Sequence, residues 1–460
     1  MQAIFTAEIL GYPSIARTLR SRAARGQIHP QMWWKGSFCA VFLMVYGMKR
    51  DNIEALIATR QSGFTLPQPF YLDPEIYALE WEQIWRSGWL FVAHDCEIPS
   101  VGDYLTWEVG EDSILVVRDD EEVIRAFYNL CRHRGTRLCS QDQGHVGRIV
   151  CPYHQWTYDR SGKLCSARGM GSEFNLEDWS LLPLAVTTAA GMIYISLAES
   201  PPPFAGVGDQ IVESARPQGL QQAKVACAID YEIEANWKLV WENNRECYHC
   251  NVNHPQYIRA NFDHYNQDDT NESVRLRMAK QLERNEAQWA ATGLLATHRS
   301  TGMASFPDPD HDDGWCAINR TVLVEDYLSE TMDGQLVAPL MGDYRDPHAG
   351  TLRMRTMPNM WNHSSCDHAV TTRLVPAGTG KTLARVVWLV DQDAVEGQDY
   401  NLDQLLPFWQ LTSEQDWALC GAAQKGISSR AYRPGPLSTH KEWNLEAFIR
   451  WYLDKLGNGP

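Results

Sequence analysis

With 460 residues the chain is longer than one hydrophobic core usually supports, so two domains are expected. Its 41 Lys and Arg against 57 Asp and Glu give a net charge of -16 without a basic stripe, which argues against nucleic acid as a partner. The 12 cysteines are scattered and two of them stand beside histidines, a usage that predicts metal ligands in a reducing compartment and therefore a cytoplasmic protein.

Residues 1–47 combine several arginines with a short apolar run, Phe38–Val45. The run is too short to span a bilayer, and no small-residue cleavage pattern follows it. We therefore predict an N-terminal extension outside the fold, with Met48 as the functional start, and no membrane partner.

The elements of the folded part begin at Asp73-Pro74, a pair typical of a helix N-terminus, and an apolar face follows at helical spacing from Tyr77 to Trp85. This pattern predicts that residues 48–90 form a helical segment that packs on the larger, catalytic domain. Short alternating runs predict the strands of a small antiparallel domain over residues 91–200: Tyr104–Val109, Ser113–Val117, Val123–Tyr128 and Met192–Leu197. After Pro201–Pro203, strands and helices mix over residues 201–460, and an amphipathic helix starts near Ser438.

Two mixed ligand pairs lie in the small domain: C-x-H at Cys131 and His133, then, after seventeen intervening residues, C-x-x-H at Cys151 and His154. Two such pairs on turns between strands can approach a 2Fe-2S cluster from opposite sides, with the thiolates on one iron and the imidazoles on the other. A structural zinc site also uses two Cys and two His, but zinc fingers keep like ligands paired, as C-x-x-C and H-x-x-x-H. The mixed pairs therefore favour the cluster over zinc.

A second set of ligand-type residues follows in the larger domain, where His249 and His254 lie five residues apart. Five helical steps rotate the side chain by about 140°, so the two imidazoles do not share a face of one helix. Since Pro255 pushes His254 toward an extended conformation, we predict that a helix ends between them, with His249 on its last turn, and that both bind one metal. A carboxylate would complete a 2-His-1-carboxylate triad.

Asp416 is the predicted carboxylate, placed in the first turn of a helix that Thr412 or Ser413 would cap. A helix N-terminus also favours an acidic residue for its dipole, so this position alone does not decide the role. The alternatives lie in a more loop-like acidic run: Asp391, Asp393 and Asp399. Cys247 and Cys250 flank His249 as in half of a zinc knuckle, but no second pair follows at a suitable spacing, so we interpret both as small buried residues.

The cluster motif resembles that of the Rieske family at all four positions, and with the downstream histidines the chain resembles the oxygenase component of a Rieske non-heme iron system. The resemblance implies an α+β fold: a Rieske β domain joined to a helix-grip catalytic domain with an antiparallel sheet. It also implies a 2Fe-2S cluster, a mononuclear Fe(II), and electrons from NAD(P)H through a separate flavin- or ferredoxin-type reductase. The assembly would be a homotrimer in which each cluster serves the iron of the neighbouring subunit.

The same resemblance bears on two acidic residues. It favours Asp416, because the iron-binding carboxylate of the family commonly follows a Gln in a helix. It also gives Glu246 the position of the acidic residue that bridges the two metal sites between subunits. Many ring-hydroxylating members have Asp there, so Glu246 departs from the aromatic dioxygenases.

Three stretches resemble the oxygenases that demethylate betaines: Val92–Pro99, Met360–Ala369 and Gly435 through Tyr452. The resemblance implies oxidative N-demethylation of a quaternary ammonium substrate, with stachydrine (proline betaine) first and glycine betaine or carnitine next. Aromatic faces hold such a cation, and Trp361 is the candidate for this wall, although a core role also suits a tryptophan there.

Two other functions are compatible with parts of the sequence. An aromatic-ring dioxygenase would share every metal ligand but would need an apolar pocket. A Rieske ferredoxin, which only carries electrons, would lack His249, His254 and Asp416.

Overall fold

The structure is a computed structural model that describes residues 53–261, 272–294 and 316–457. The chain divides after Gln61 into two compact units, and every element named below belongs to the second, which begins at Ser62. The predicted extension over residues 1–47 lies outside the described residues.

The second unit opens with two short helices that start at prolines, α1 (Pro69–Leu72) and α2 (Pro74–Glu80). The Asp73 side chain accepts a hydrogen bond from the Glu75 amide at 2.7 Å, which confirms the predicted N-cap. A π-helical turn, Trp81–Trp85, continues α2 and buries the tryptophans of the predicted apolar face.

A seven-stranded antiparallel sheet, in the order β1-β10-β9-β4-β3-β2-β5, forms the small domain. Its strands are β1 (Trp89–His94), β2 (Asp103–Val109), β3 (Asp112–Arg118), β4 (Ile124–Tyr128), β5 (Gln143–His145), β9 (Pro183–Ala189) and β10 (Met192–Ser196). A separate sheet contains the short strands β6 (Ile149–Val150), β7 (Thr157–Tyr158) and β8 (Leu164–Ser166). The alternating runs therefore predicted four strands of the larger sheet, β2, β3, β4 and β10, to within a few residues.

A six-stranded antiparallel sheet, in the order β11-β16-β15-β14-β13-β12, forms the centre of the larger domain. Its strands are β11 (Ala223–Ile233), β12 (Cys316–Thr321), β13 (Thr351–Thr356), β14 (Met360–Ser364), β15 (Ala369–Pro376) and β16 (Thr382–Asp391). The helices of this domain are α3 (Ala205–Ala215), α4 (Trp237–Asn244), α5 (Cys250–Asn253), α6 (Pro255–Ala260), α7 (Glu272–Thr292), α8 (Leu402–Leu405), α9 (Pro407–Ile427) and α10 (Trp443–Gly457).

The combination of helices with antiparallel sheets confirms the predicted α+β class. Of the helices in the described ranges, none is both long enough and apolar enough to cross a membrane.

The two faces of the larger sheet differ in chemistry at β13. Leu352 and Met354 belong to an apolar core cluster that spreads over one face. Arg353 and Arg355 alternate with them along the strand and therefore point to the opposite face. This second face lies beside α9, which contacts α4, α6 and β11.

Helix α9 begins earlier than predicted. Its N-terminus is at Pro407, not at Thr412 or Ser413, so Asp416 lies in the middle of the helix rather than in its first turn. Thr412 does not cap the helix, because its hydroxyl donates to the Phe408 carbonyl at 2.7 Å, one turn back. The acidic side chain at position 416 therefore has no role at a helix N-terminus.

Glu80 joins the N-terminal helices to two later ones. Its buried carboxylate accepts hydrogen bonds from Trp237 Nε1 at 2.7 Å and Lys238 Nζ at 2.5 Å, both on α4, and from Tyr452 Oη at 2.6 Å on α10. Lys238 and Glu80 are 0% and 1% exposed, so water does not compete for this ion pair. Removing one partner of such a pair is costly, because the other charge stays buried without compensation.

Candidate functional site

The Cys and His pairs of the small domain stand on two loops with the same hydrogen bonding. In each loop the amide four residues after the cysteine donates to the cysteine carbonyl: Gly135 N to Cys131 O at 2.9 Å, and Gln155 N to Cys151 O at 3.0 Å. Each cysteine amide also donates to the carbonyl five residues on, at 2.8 Å in both loops. Gly135 and Gln155 have positive φ angles, 72° and 61°, which turn each loop back toward its cysteine.

The four ligand-type side chains differ in burial, the two cysteines being more buried than the two histidines. Cys131 and Cys151 are each 1% exposed, whereas the rings of His133 and His154 lie nearer the surface with centroids 4.6 Å apart. Trp156 stacks on His133 at 4.9 Å and fixes the plane of that imidazole. The matched loops thus offer two buried sulfurs and two outer imidazoles, a donor set that fits a 2Fe-2S cluster bound by two thiolates and two histidines.

Of the two downstream histidines, His249 is placed differently from the prediction. Helix α4 ends at Asn244, so His249 does not lie on its last turn. His249 instead precedes the one-turn helix α5, and His254 stands between α5 and α6. The φ and ψ of His254 are -125° and 64°, outside the helical region, as expected before Pro255. This break brings the two imidazole rings together, with centroids 5.1 Å apart.

Asp416 meets both imidazoles from α9. Its Oδ1 lies 2.9 Å from His254 Nε2 and 3.2 Å from His249 Nε2. Burial raises the pKa of Asp416, but the hydrogen bonds from the two histidines outweigh it and hold that pKa below its ordinary value. The site therefore offers an anionic carboxylate and two ring nitrogens around one point, which is the donor set of a facial triad for non-heme iron.

The Nδ1 atom of each imidazole, on the side of the ring away from Asp416, has its own hydrogen-bond acceptor. His249 Nδ1 lies 2.6 Å from Glu246 Oε1, and His254 Nδ1 lies 2.7 Å from Gln415 Oε1, which also accepts from Gln256 Nε2 at 2.9 Å. Burial lowers the pKa of His249, but the hydrogen bonds to Asp416 and Glu246 outweigh it and raise the pKa to about 10. Such outer acceptors orient metal-binding histidines and leave the Nε2 atoms for the metal.

The alternative carboxylates lie elsewhere. Among the described residues that line the cleft at the two histidines, none is Asp391, Asp393 or Asp399. Asp391 Oδ1 accepts from Asp393 N at 3.0 Å and Asp399 Oδ2 accepts from Val395 N at 2.8 Å. These side chains stabilise the turns after β16.

Cys247 and Cys250 form a disulfide that lines the cleft. Both are buried, as predicted, but the interpretation as separate small residues missed the bond between them. Because the thiolate is the metal-binding form of cysteine, the disulfide leaves no zinc-knuckle ligand at these positions.

A cleft of about 810 Å³, counting its mouth, begins at the two histidines. It extends over the face of the larger sheet that carries Arg353 and Arg355, called the charged face below. Trp361 is 8% exposed and packs edge-to-face on Trp241 with ring centroids 5.2 Å apart. The ring of Trp417, the residue after Asp416, lies with its centroid 6.3 Å from that of Trp361 and continues the same aromatic wall. Trp361, the sequence candidate, thus lies in an aromatic wall beside the three metal-ligand candidates.

Several cleft residues were not predicted from the sequence. They are Arg245, Trp417, Arg353, His363 and Arg355, together with two residues that contact the cleft lining: Trp241, which packs on Trp361, and Gln415, which bonds to His254. Only Gln415 had a local signal, its place before Asp416. The others come from distant segments that meet only in the folded chain.

Two protein-family models match separate parts of the chain. The Rieske 2Fe-2S domain model matches residues 88–180, and the model of the catalytic domain of ring hydroxylating alpha subunits matches residues 220–458. The candidate cluster ligands lie in the first range, and the candidate iron ligands lie in the second.

Two of the similar proteins have names that state a quaternary ammonium substrate. The glycine betaine monooxygenase oxygenase subunit of Chromohalobacter salexigens is 40% identical over 409 residues, 88% of this chain and 89% of the relative. The carnitine monooxygenase oxygenase subunit of Escherichia coli (strain K12) is 33% identical over 210 residues, 44% of this chain and 56% of the relative.

Solved structures share the fold. A quaternary ammonium Rieske monooxygenase superposes with a TM-score of 0.65 at 21% identity, covering 87% of this chain and 97% of that one. A naphthalene 1,2-dioxygenase from Rhodococcus sp. superposes with a TM-score of 0.61 at 19% identity, covering 88% and 98%. The chain therefore belongs to the Rieske oxygenases, oxidoreductases whose alpha subunits combine a 2Fe-2S cluster domain with a mononuclear non-heme iron domain.

Proposed function

We propose that the protein catalyses the O2-dependent oxidative N-demethylation of a quaternary ammonium carboxylate. Stachydrine, giving N-methylproline and formaldehyde, is the first substrate to test, followed by glycine betaine and carnitine. The observation that carries the proposal is the composition of the cleft, where an aromatic wall and buried arginines lie beside His249, His254 and Asp416.

The aromatic wall suits the cationic end of a betaine. A quaternary ammonium group cannot donate a hydrogen bond, and each aromatic face contributes up to about 2 kcal/mol to a desolvated cation. Trp361 and Trp417 line the cleft and supply such faces, and Trp417 is adjacent in sequence to Asp416. A methyl group of the cation would thus lie close to the iron ligands.

The charged side of the cleft argues against an aromatic hydrocarbon. Arg245, Arg353 and Arg355 are each at most 5% exposed and line the cleft. Naphthalene or benzene offers these cations no counter-charge, whereas a zwitterion offers a carboxylate. The 40% identity to a protein named for glycine betaine supports the same class.

Each candidate ligand has a role in this reaction. Cys131, His133, Cys151 and His154 would hold the cluster, and His249, His254 and Asp416 would hold the iron. The iron would supply oxygen activation, and oxygenation of a substrate methyl group would give a hemiaminal that releases formaldehyde. The aromatic wall positions the methyl group.

Electron delivery involves Glu246 and a second subunit. Glu246 holds His249 Nδ1 at 2.6 Å, and the surface next to it exposes Tyr248 and Val252 at 55% and 83%. The cluster end exposes Tyr153 at 54%, beside His154. Exposed apolar side chains at both sites support a homotrimer in which the cluster of one subunit docks on the iron site of the next. A separate flavin- or ferredoxin-type reductase would supply the electrons from NAD(P)H.

Product analysis tests the proposal directly. The purified protein, an NAD(P)H-dependent reductase and oxygen are incubated with stachydrine, glycine betaine or carnitine, and formaldehyde and the demethylated amine are quantified. We expect the two products in equal amounts from at least one betaine. Conversion of naphthalene or benzoate to a cis-diol, with no betaine consumed, would transfer the assignment to the ring dioxygenases.

A further inference from the structure

One end of the cleft is built from two neighbouring strands of the larger sheet. Arg353 on β13 pairs directly with His363 on β14, so both side chains lie on the charged face. Both residues line the cleft. Trp361 stands two positions before His363 on the same strand, so their backbone positions are roughly 7 Å apart on one face.

Arg353 is held rigidly in this wall. It is 5% exposed, its Nη2 donates to Asn261 Oδ1 at 2.9 Å, and its guanidinium lies 5.7 Å from the centre of the Tyr257 ring. The buried carboxylate of Glu330 interacts with this guanidinium: burial raises the pKa of Glu330, and the Arg353 charge opposes that rise. An arginine fixed in this way presents its planar fork without further loss of side-chain entropy.

His363 adds a hydrogen-bonding group beside the guanidinium. Its ring packs against Trp409 with centroids 4.1 Å apart, and its Nδ1 is enclosed with no partner among the described residues. Burial, together with the charges of Arg353 and Arg245, lowers the pKa of His363 well below its ordinary value. The imidazole is therefore neutral, and a buried ring nitrogen without a partner points to a ligand.

We propose that Arg353 and His363 form a carboxylate subsite, which orients the betaine with its acid group on β13 and β14 and its cation on Trp361. This inference rests on the proposed function and deepens it, because it states which end of the substrate faces away from the iron. Among the cleft arginines Arg353 is the one paired across the strands with His363, whereas Arg355 is paired with Trp361.

The test compares glycine betaine with its amide, which has the same cation and a neutral acid group. Charged hydrogen bonds to a carboxylate correspond to roughly a 10- to 100-fold preference, so the wild-type kcat/KM for the betaine should exceed that for the amide by this factor. In Arg353→Gln and in His363→Phe the preference should fall toward one, through a higher KM for the betaine. The KM for the amide should change little.

Arg320→Gln is the matched control. Arg320 is a buried arginine on the adjacent strand β12 that bonds to the Ala349 carbonyl and the Tyr344 hydroxyl and does not line the cleft. This variant should lose stability while keeping the betaine-to-amide preference. An equal loss of preference in Arg320→Gln would overturn the subsite, because it would trace the effect to general destabilisation.

Failure of the subsite is distinguishable from failure of the proposed function. If the wild-type protein demethylates the betaine and its amide equally well, the subsite is wrong and the function stands. If none of stachydrine, glycine betaine and carnitine is demethylated, the proposed function is wrong, and calorimetric binding of glycine betaine and its amide then tests the subsite without turnover. Equal affinities would overturn it, and this comparison requires no variant to fold.

Discussion

Replacing Gln415 with alanine removes the acceptor that orients His254. In the native protein His254 is almost fully buried, and its Nδ1–H donates to Gln415 Oε1 at 2.7 Å. Leaving a buried N–H without a partner costs about 1–3 kcal/mol, and loss of an outer partner of a metal-binding histidine typically lowers metal affinity by about 10- to 100-fold. We therefore expect Gln415→Ala to weaken ferrous iron binding by one to two orders of magnitude, while Gln415→Glu retains an acceptor oxygen and most of the affinity.

Competition with a ferrous chelator measures this effect, and the visible absorption of the cluster provides an internal control for folding. Gln410→Ala is the matched variant, because Gln410 lies on the same helix and donates only to exposed Glu414, at 3.0 Å. Unchanged iron affinity in Gln415→Ala would refute the reasoning. The same loss in Gln410→Ala would refute it as well, since that result would reflect weakening of the whole helix.

Three further predictions concern the metal centres and the path between them. His133→Ala or His154→Ala should abolish the electron paramagnetic resonance of the reduced mixed-ligand cluster, and stoichiometric zinc without acid-labile sulfide in the wild-type protein would contradict the cluster. Asp416→Ala should remove mononuclear iron and turnover but keep the cluster signal, because the two sites share no ligand; retained iron would show that Asp416 is not an iron ligand. Glu246→Gln should keep both metals yet slow reoxidation of the reduced cluster in a single turnover, because a neutral amide cannot replace a charge-assisted hydrogen bond; unchanged kinetics would leave Glu246 with a surface role only.

The cluster residues could be predicted from the sequence because their signal is local. All four lie between Cys131 and His154, and the loop geometry requires no distant partner to be recognised. The His249 and His254 pair was similarly marked by Pro255, which ends any helix that approaches it.

The geometry around Asp416 was harder to predict. The true start of its helix is signalled by Pro407, but Thr412 and Ser413 offered a competing cap, and the structure places both as buried residues within the helix. The histidine motif was misplaced for a related reason, since α4 ends at Asn244 without a Gly or Pro to mark the position.

The residues on the substrate side of the cleft cannot be predicted from local sequence patterns. Arg353 and His363 become neighbours only through the register of two strands, and an alternating strand does not reveal which of its faces will meet a cleft. The Cys247–Cys250 disulfide was missed because a short C-x-x-C spacing predicts thiols, a metal or a disulfide equally well.

The three hydrogen bonds that the Glu80 carboxylate accepts have a consequence for folding during synthesis of the protein. Glu80 and Tyr452 are 372 positions apart, yet both contact the helix that leads into the histidine motif. While a ribosome is still translating the chain, Glu80 and Lys238 can pair, but the third donor is absent until Tyr452 has emerged from the exit tunnel. The final packing of that helix, and with it the mature iron site, therefore has to wait until Tyr452 has been synthesised, even though the cluster loops are complete long before.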